Sequence, residues 1–337
     1  MSTLHTTLET ALRRRSGKYV GLAAAATSDG ETAFFAAGRI DDADGTEVDE
    51  RTVFEIGSIT KVFTSLLLAD QVVSGAVALD EPLAAFYPEL RIPVRGRPVT
   101  LVDLATHTAG FPRLPKGLIR QALRHGDDPY ARFTDDDVAV ALERVRLKRE
   151  PGLRLRYSNF GAAVLGNAVA RRAGRSYADL LADRVTEPLG LTDTVVDLRP
   201  DQEHRRAQGH KGRRKPTPDW SMPSLPGMGA LRSTTADLAR FMAAQASPEI
   251  TSLAEAIRLT QEPRAGREPR RIGLGWMVTP LGRSGYTAHW HNGGTGGFRS
   301  FAGYVRDSGV GVALLTNGLR PVDPPGFDLL KSLAGRS

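Results

Sequence analysis

Ser58 and Lys61 stand three residues apart in the stretch Phe54-Glu55-Ile56-Gly57-Ser58-Ile59-Thr60-Lys61-Val62-Phe63-Thr64-Ser65-Leu66-Leu67-Leu68. Residues at this spacing share one face of a helix, so Ser-x-x-Lys sets an amine beside a hydroxyl. A serine in the first helical turn also meets free backbone N–H groups and the positive end of the helix dipole, which favour a developing anion. Val62, Phe63, Leu66, Leu67, Val72 and Val73 are apolar on most sides of the helix and imply that it is buried. Burial disfavours an ammonium ion, so Lys61 would be partly neutral near neutral pH and able to take the serine proton. The same residues also fit a core helix with a capping Ser and a solvent-facing Lys, and the motif alone does not separate the two.

Acyl transfer from a serine–lysine pair needs a second proton carrier and an oxyanion hole. Tyr157-Ser158-Asn159 offers the carrier, at a loop-to-helix junction before an Ala/Gly-rich stretch. A cation beside the Tyr157 hydroxyl would ease loss of its proton. The plain alternative is a tyrosine packed at a helix start with Ser158 or Asn159 as cap. His291-Asn292-Gly293-Gly294-Thr295-Gly296-Gly297-Phe298 offers the hole. Glycines at a strand end let another backbone approach, and a strand-edge N–H there would join that of Ser58. A flexible glycine-rich turn is the alternative. His289 and His291 alternate onto one strand face, but neither has an adjacent carboxylate or a third ligand in sequence, so no metal and no cofactor are expected.

These pieces need elements to hold them. Residues 3–15 read as an amphipathic helix, and 20–27 and 32–39 as strands joined at Ser28-Asp29-Gly30. An acidic loop, 41–49, leads to the Ser58 helix. From 80 to about 261 the pattern is mostly helical, with candidates at 100–107, 134–145, 159–173, 176–184 and 234–245, the last opening on a cap near Thr234. Residues 198–226 are a charged loop without assignable period. Residues 273–279, 286–291, 298–306 and 310–317 read as strands, the last two linked by Asp307-Ser308-Gly309, and 324–334 as a closing helix. Strands at both ends around a helical middle predict an α+β protein. One antiparallel sheet is built from the two termini and flanked by helices, with a mostly helical lobe inserted. The 337 residues form a single unit, an α/β lobe of about 1–79 plus 265–337 and a helical lobe of about 80–264.

Composition narrows the class. Hydrophobic content of 41% and charged content of 25% are those of a globular protein. No apolar run is long enough to span a membrane, and Met1 to Arg15 has no signal core, so a cytoplasmic location is expected. Without cysteine there is no thiol nucleophile, disulfide or Cys-ligated zinc. The net charge of +7 concentrates around 205–215 and 264–271. Only Trp220 supplies an aromatic nearby, so these stretches read as solvated loops with a bias toward anionic ligands and not as a nucleic-acid surface.

Taken together, the three motifs resemble the serine β-lactamase superfamily over nearly the whole chain, closest to its class C β-lactamase, D-Ala-D-Ala carboxypeptidase and esterase branch. Ser58-Ile59-Thr60-Lys61 matches Ser-x-x-Lys and Tyr157-Ser158-Asn159 matches Tyr-x-Asn. His291-Asn292-Gly293 stands where those families have Lys-Thr-Gly or His-x-Gly. Residues 104–112, 187–191 and 229–234 look similar too. The resemblance implies a β-lactamase/transpeptidase-like fold, with Ser58 as nucleophile and Lys61 and Tyr157 sharing general-base and general-acid duty. It also implies an oxyanion hole from the backbone N–H groups of Ser58 and Gly294. Asn159, His291 and Gly293 would bind substrate, Asn159 holding Lys61 or a substrate amide and His291 adding positive or hydrogen-bonding character opposite Tyr157.

Two departures bear on the substrate. His291 replaces a lysine with a ring only partly charged at neutral pH. Class C enzymes also carry Asn and Arg early in the C-terminal helix for the substrate carboxylate. Pro321-Val322-Asp323-Pro324-Pro325 shows neither, which leaves Arg320 or Arg299 as substitutes. The expected substrate is a small ester, amide or lactam. A serine acyl hydrolase for a less anionic donor fits better than a dedicated β-lactamase. An acyltransferase on the same fold and a penicillin- or peptide-binding module are the alternatives.

Overall fold

The two ends of the chain meet in one sheet of the computed structural model, which describes residues 2–43, 45–118, 128–212, 214–282 and 284–335. Near the N-terminus, β1 (Gly21–Ser28) and β2 (Glu31–Gly38) form a hairpin. The C-terminal part adds β3 (Ala265–Arg267), β4 (Arg270–Ile272), β5 (Met277–Pro280), β6 (Thr287–Gly294), β7 (Arg299–Val305) and β8 (Val310–Thr316). The order is β2-β1-β8-β7-β6-β5-β4-β3, every pair antiparallel. Ala24 of β1 faces Leu314 of β8, which joins the first strands to the last.

Both faces of the central strands are covered, so β1 and β8 read as unbroken apolar runs and not as alternation. Leu22, Ala24, Val312 and Leu314 pack under α1 (Thr3–Ser16) and the closing helix, residues 323–334. Ala23, Ala313 and Leu315 face the other core, formed with α2 (Thr60–Val73), where every residue from Thr60 to Gln71 is buried. The middle of the chain supplies α3 (Leu101–Ala105), α4 (Asp135–Glu143), α5 (Asn159–Ala173), α6 (Tyr177–Leu181), α7 (Thr235–Ala246) and α8 (Ala254–Gln261). The closing helix is α9 (Asp323–Ala334). Phe63 of α2 stacks on Phe241 of α7 at 4.1 Å, and Thr234 caps α7 by accepting from the Asp237 N–H at 3.1 Å.

The differences from the sequence reading are local. α8 lies in the stretch read as mostly helical without being singled out, and β3 and β4 have no counterpart, because three-residue strands show no alternation. The described residues of 198–226 hold short helical turns and a two-residue ribbon, His210–Lys211 with Lys215–Pro216. β6 runs on through Gly293 and Gly294, so the first two glycines of the Gly-rich stretch are strand and not turn. Among the described residues no helix is long and apolar enough to cross a membrane.

Candidate active site

Ser58 sits in a 3₁₀ turn, Gly57–Ile59, that leads into α2, one turn ahead of the helix proper. The chain reaches it along the two-residue strand Phe54–Glu55, paired with Arg232–Ser233, and Ile56 N donates to Leu231 O at 3.0 Å. The turn lies hard against the end of β6. Gly57 has φ +50°, and a Cβ there would stand 2.7 Å from the Gly294 nitrogen. A Cβ on Gly293 would stand 2.0 Å from Ile56 O, while Ser300 Oγ of β7 donates to that same oxygen at 2.8 Å. Glycine is thus required on both sides for turn and strand to touch. The contact brings the Gly294 N–H beside the Ser58 turn.

Lys61 is 1% exposed. Its Nζ lies 2.8 Å from Ser58 Oγ and donates a short bond to the Met228 carbonyl. Burial, with the charge of Arg113 adding to it, holds the amine well below the usual lysine range. In its uncharged form the amine can accept from the Ser58 hydroxyl and keep an N–H for Met228 O. The Tyr157 ring lies 5.2 Å from Lys61 Nζ, and its hydroxyl is near enough to Ser58 to be influenced by it. Tyr157 is part-exposed as a residue, but its hydroxyl end is enclosed, and that burial pushes it up to about 12 against the pull of Ser58 and Arg113. The sequence expectation of an eased tyrosine proton is corrected here. Desolvation outweighs the cation, so Tyr157 stays protonated and Lys61 is the group that burial drives toward its uncharged form.

Tyr157 is aimed by its neighbours. Ser158 caps α5 by accepting from Gly161 N at 2.8 Å and donates to Pro112 O at 2.6 Å. Arg113 O accepts from Asn159 N at 3.0 Å, and Arg156 N donates to His107 O at 2.8 Å. The His107 ring packs 4.5 Å from Tyr157. Residues 104–112 therefore hold the Tyr157 turn in place.

A cleft of about 750 Å³ opens over these groups, and Ser58, Tyr157, Asn159, His291, Gly293 and Gly294 all line it. Asn159 is not bonded to Lys61, and its Oδ1 is buried without a hydrogen-bond partner. His291 lies across from Tyr157, ring centroids 6.0 Å apart, and is 2% exposed. Burial above all pushes it down to about 3, so the partial charge expected of it is absent and the ring is neutral at working pH. Of the two arginines considered as substitutes, Arg299 lines the cleft, whereas Arg320 lies over the Tyr19 ring at 5.9 Å.

Several lining groups escaped the sequence reading. Arg113 reaches over the Tyr157 ring at 5.6 Å with no ion pair or side-chain hydrogen bond among the described residues. Tyr130 and Trp220 meet edge to face at 5.2 Å, and Asp323 accepts from the Asn292 amide. None belongs to a motif. Arg113 directly follows residues 104–112, and Asp323 lies in the stretch compared with the class C C-terminal helix. Among the described residues no group of three His, Cys, Asp or Glu is placed to hold a metal ion.

Set beside known proteins, the chain matches the Beta-lactamase family model over residues 7–334. It is 30% identical to penicillin-binding protein 4 of Amycolatopsis lactamdurans, over 88% of this chain and 81% of that protein. It is 29% identical to the D-alanyl-D-alanine-carboxypeptidase/endopeptidase AmpH of Escherichia coli K12, over 77% of this chain and 70% of that one. A solved class C beta-lactamase superposes with TM-score 0.86 at 20% identity, covering 98% of this chain and 97% of that one, which establishes the shared fold.

Proposed function

This chain belongs to the Beta-lactamase family, and from that premise we propose that it is a serine hydrolase of esters or amides working through an acyl-enzyme. One observation carries the reading: Ser58 Oγ lies 2.8 Å from the amine of Lys61, whose burial favours its uncharged form, in the same cleft as the Tyr157 hydroxyl. Lys61 takes the Ser58 proton as Oγ attacks the acyl carbon. The oxyanion forms between the N–H groups of Ser58 and Gly294. Tyr157 gives its proton to the departing oxygen or nitrogen, and the Lys61 ammonium restores it. Water then attacks the acyl-enzyme, and its proton returns along the same pair to Ser58. Gly293 and Asn159 border the bound acyl donor, and the neutral His291 meets it with a hydrogen bond and not a charge.

The activities for which relatives are named, carboxypeptidase/endopeptidase and beta-lactamase, act on amide bonds. Against a dedicated β-lactamase weigh the neutral His291 and Asp323, a carboxylate at the start of α9 where a substrate carboxylate would need a cation. The test is turnover of p-nitrophenyl acetate together with labelling by a fluorophosphonate. Multiple turnovers, with the adduct mapped by mass spectrometry to Ser58, support the reading. An adduct on Ser65 or Ser158, or full turnover by Ser58→Ala, would overturn it.

A further inference from the structure

Resting on that reading, we propose that the cleft selects a leaving group bearing a hydrogen-bond donor, an ammonium above all, and discriminates against a carboxylate there. The wall opposite Tyr157 is built from acceptors. His291 Nδ1 lies 2.6 Å from the Asn292 carbonyl oxygen. A carbonyl oxygen only accepts, so Nδ1 carries the proton, and in the neutral ring Nε2 is left as a lone-pair acceptor. That Nε2 is buried without a protein partner. An unmatched buried acceptor is costly until a donor meets it.

Tyr157, the proton donor to the leaving group, faces the His291 ring at 6.0 Å, so the departing atom lies between the two. Just beyond, the Asn292 amide donates to one Asp323 oxygen and holds that carboxylate at the cleft wall. Asp323 makes no ion pair among the described residues, and the N-terminal end of α9 favours its negative charge. Arg299 feels the Asp323 charge without forming an ion pair with it, and its guanidinium is committed to backbone carbonyls. Arg299 Nη1 donates to Thr295 O at 3.1 Å and Phe298 O at 2.7 Å, and Arg113 lies on the Tyr157 side. Trp290 and Met277 add apolar surface beside these acceptors. An aryl or alkyl amine would rest on that surface, offering N–H groups to His291 and Asp323. A carboxylate in the same place would face a lone pair and a like charge.

The acetate esters of tyramine, 4-ethylphenol and 4-hydroxyphenylacetate test this with leaving groups of closely matched basicity. The expected order of kcat/KM is ammonium over ethyl over carboxylate, about tenfold from first to last on the scale of a partly exposed charge pair. Asp323→Asn should compress that ratio toward one, and Asp323→Lys should invert it. His291→Lys should also move preference toward the carboxylate. Independently of turnover, calorimetric titration of the three free phenols into Ser58→Ala protein should show tyramine bound most tightly. Loss of all ester turnover with tyramine still preferred would reject the hydrolase mechanism and leave the acceptor wall standing. A preference for the carboxylate, equal binding of the three phenols, or an unchanged ratio in Asp323→Asn would overturn the inference.

Discussion

Ser58, Lys61 and Tyr157 gain their chemistry from burial more than from identity. Lys61→Met or Tyr157→Phe should each lower ester kcat by at least ~100-fold, and the double variant should be little worse than the poorer single, because the two groups share one proton path. Additive losses in steady-state kinetics would break that link. Lys61 also writes a signature into stability. Its folded-state pKa lies below its unfolded one, so the unfolded chain binds the extra proton and wild-type stability rises with pH between the two values. Relative to Lys61→Met, denaturant unfolding should show a gain approaching about 1.4 kcal/mol per pH unit, ending near pH ~10.4. A flat difference would mean the lysine is buried as a cation. His291 titrates at about 3, so His291→Gln should leave the ascending limb of the kcat/KM pH profile where it is, since that limb belongs to Lys61.

The contact between the Ser58 turn and β6 is the feature on which the oxyanion geometry depends. Gly293→Ala puts a methyl 2.0 Å from Ile56 O and 2.3 Å from Ser300 Oγ, so backbone must move. Overpacking of this kind costs about 1–3 kcal/mol and here displaces the Gly294 N–H from its place beside Ser58. A fall in kcat of about 100-fold or more is expected, the scale of losing one oxyanion donor, with circular dichroism still native. Native turnover in a folded Gly293→Ala protein would separate this contact from catalysis.

Three distant parts of the chain converge behind the cleft. Glu55 precedes the Ser58 turn, Trp220 N donates to its Oε1 at 2.7 Å, and the Trp220 indole fills the space a Gly296 side chain would need. Arg232 is the nearest cation, 3.8 Å away, and burial still pushes Glu55 up to about 7. A carboxyl whose folded pKa is raised binds its proton more tightly when folded, so its cost is absent below the unfolded pKa and complete above about 7. Glu55→Gln should therefore match wild type in thermal unfolding near pH 4 and exceed it above pH 7, by a difference on the order of 3 kcal/mol. Equal stability at both pH values would show that Glu55 is better solvated than its enclosure implies. Arginines of the basic stretches are paired with carboxylates, Arg205 with Asp193, Arg206 with Asp219, Arg214 with Asp42 and Arg271 with Glu268.

Residue types and short spacings by themselves determined the α+β class, the sheet shared by the two termini, and the three motifs that line or back the cleft. Each of those signals is local: a 3.6- or 2-residue period, a turn dipeptide, an i to i+3 pair. What the tertiary structure alone decided is electrostatic and steric. Whether Tyr157 or Lys61 holds the proton depends on how much water each has lost, and water is excluded by side chains far away in sequence, such as Met228 and His107. His291 was legible as a site residue, but its neutrality follows from enclosure, which no spacing reports. Gly293 and Gly294 looked like a turn because strand and turn glycines are alike in sequence, and only Ile56 and Ser300 pressing on them make them strand. Arg113 and Asp323 belong to no motif, since a side chain that faces a cleft is marked by where its backbone runs and not by its neighbours in the chain.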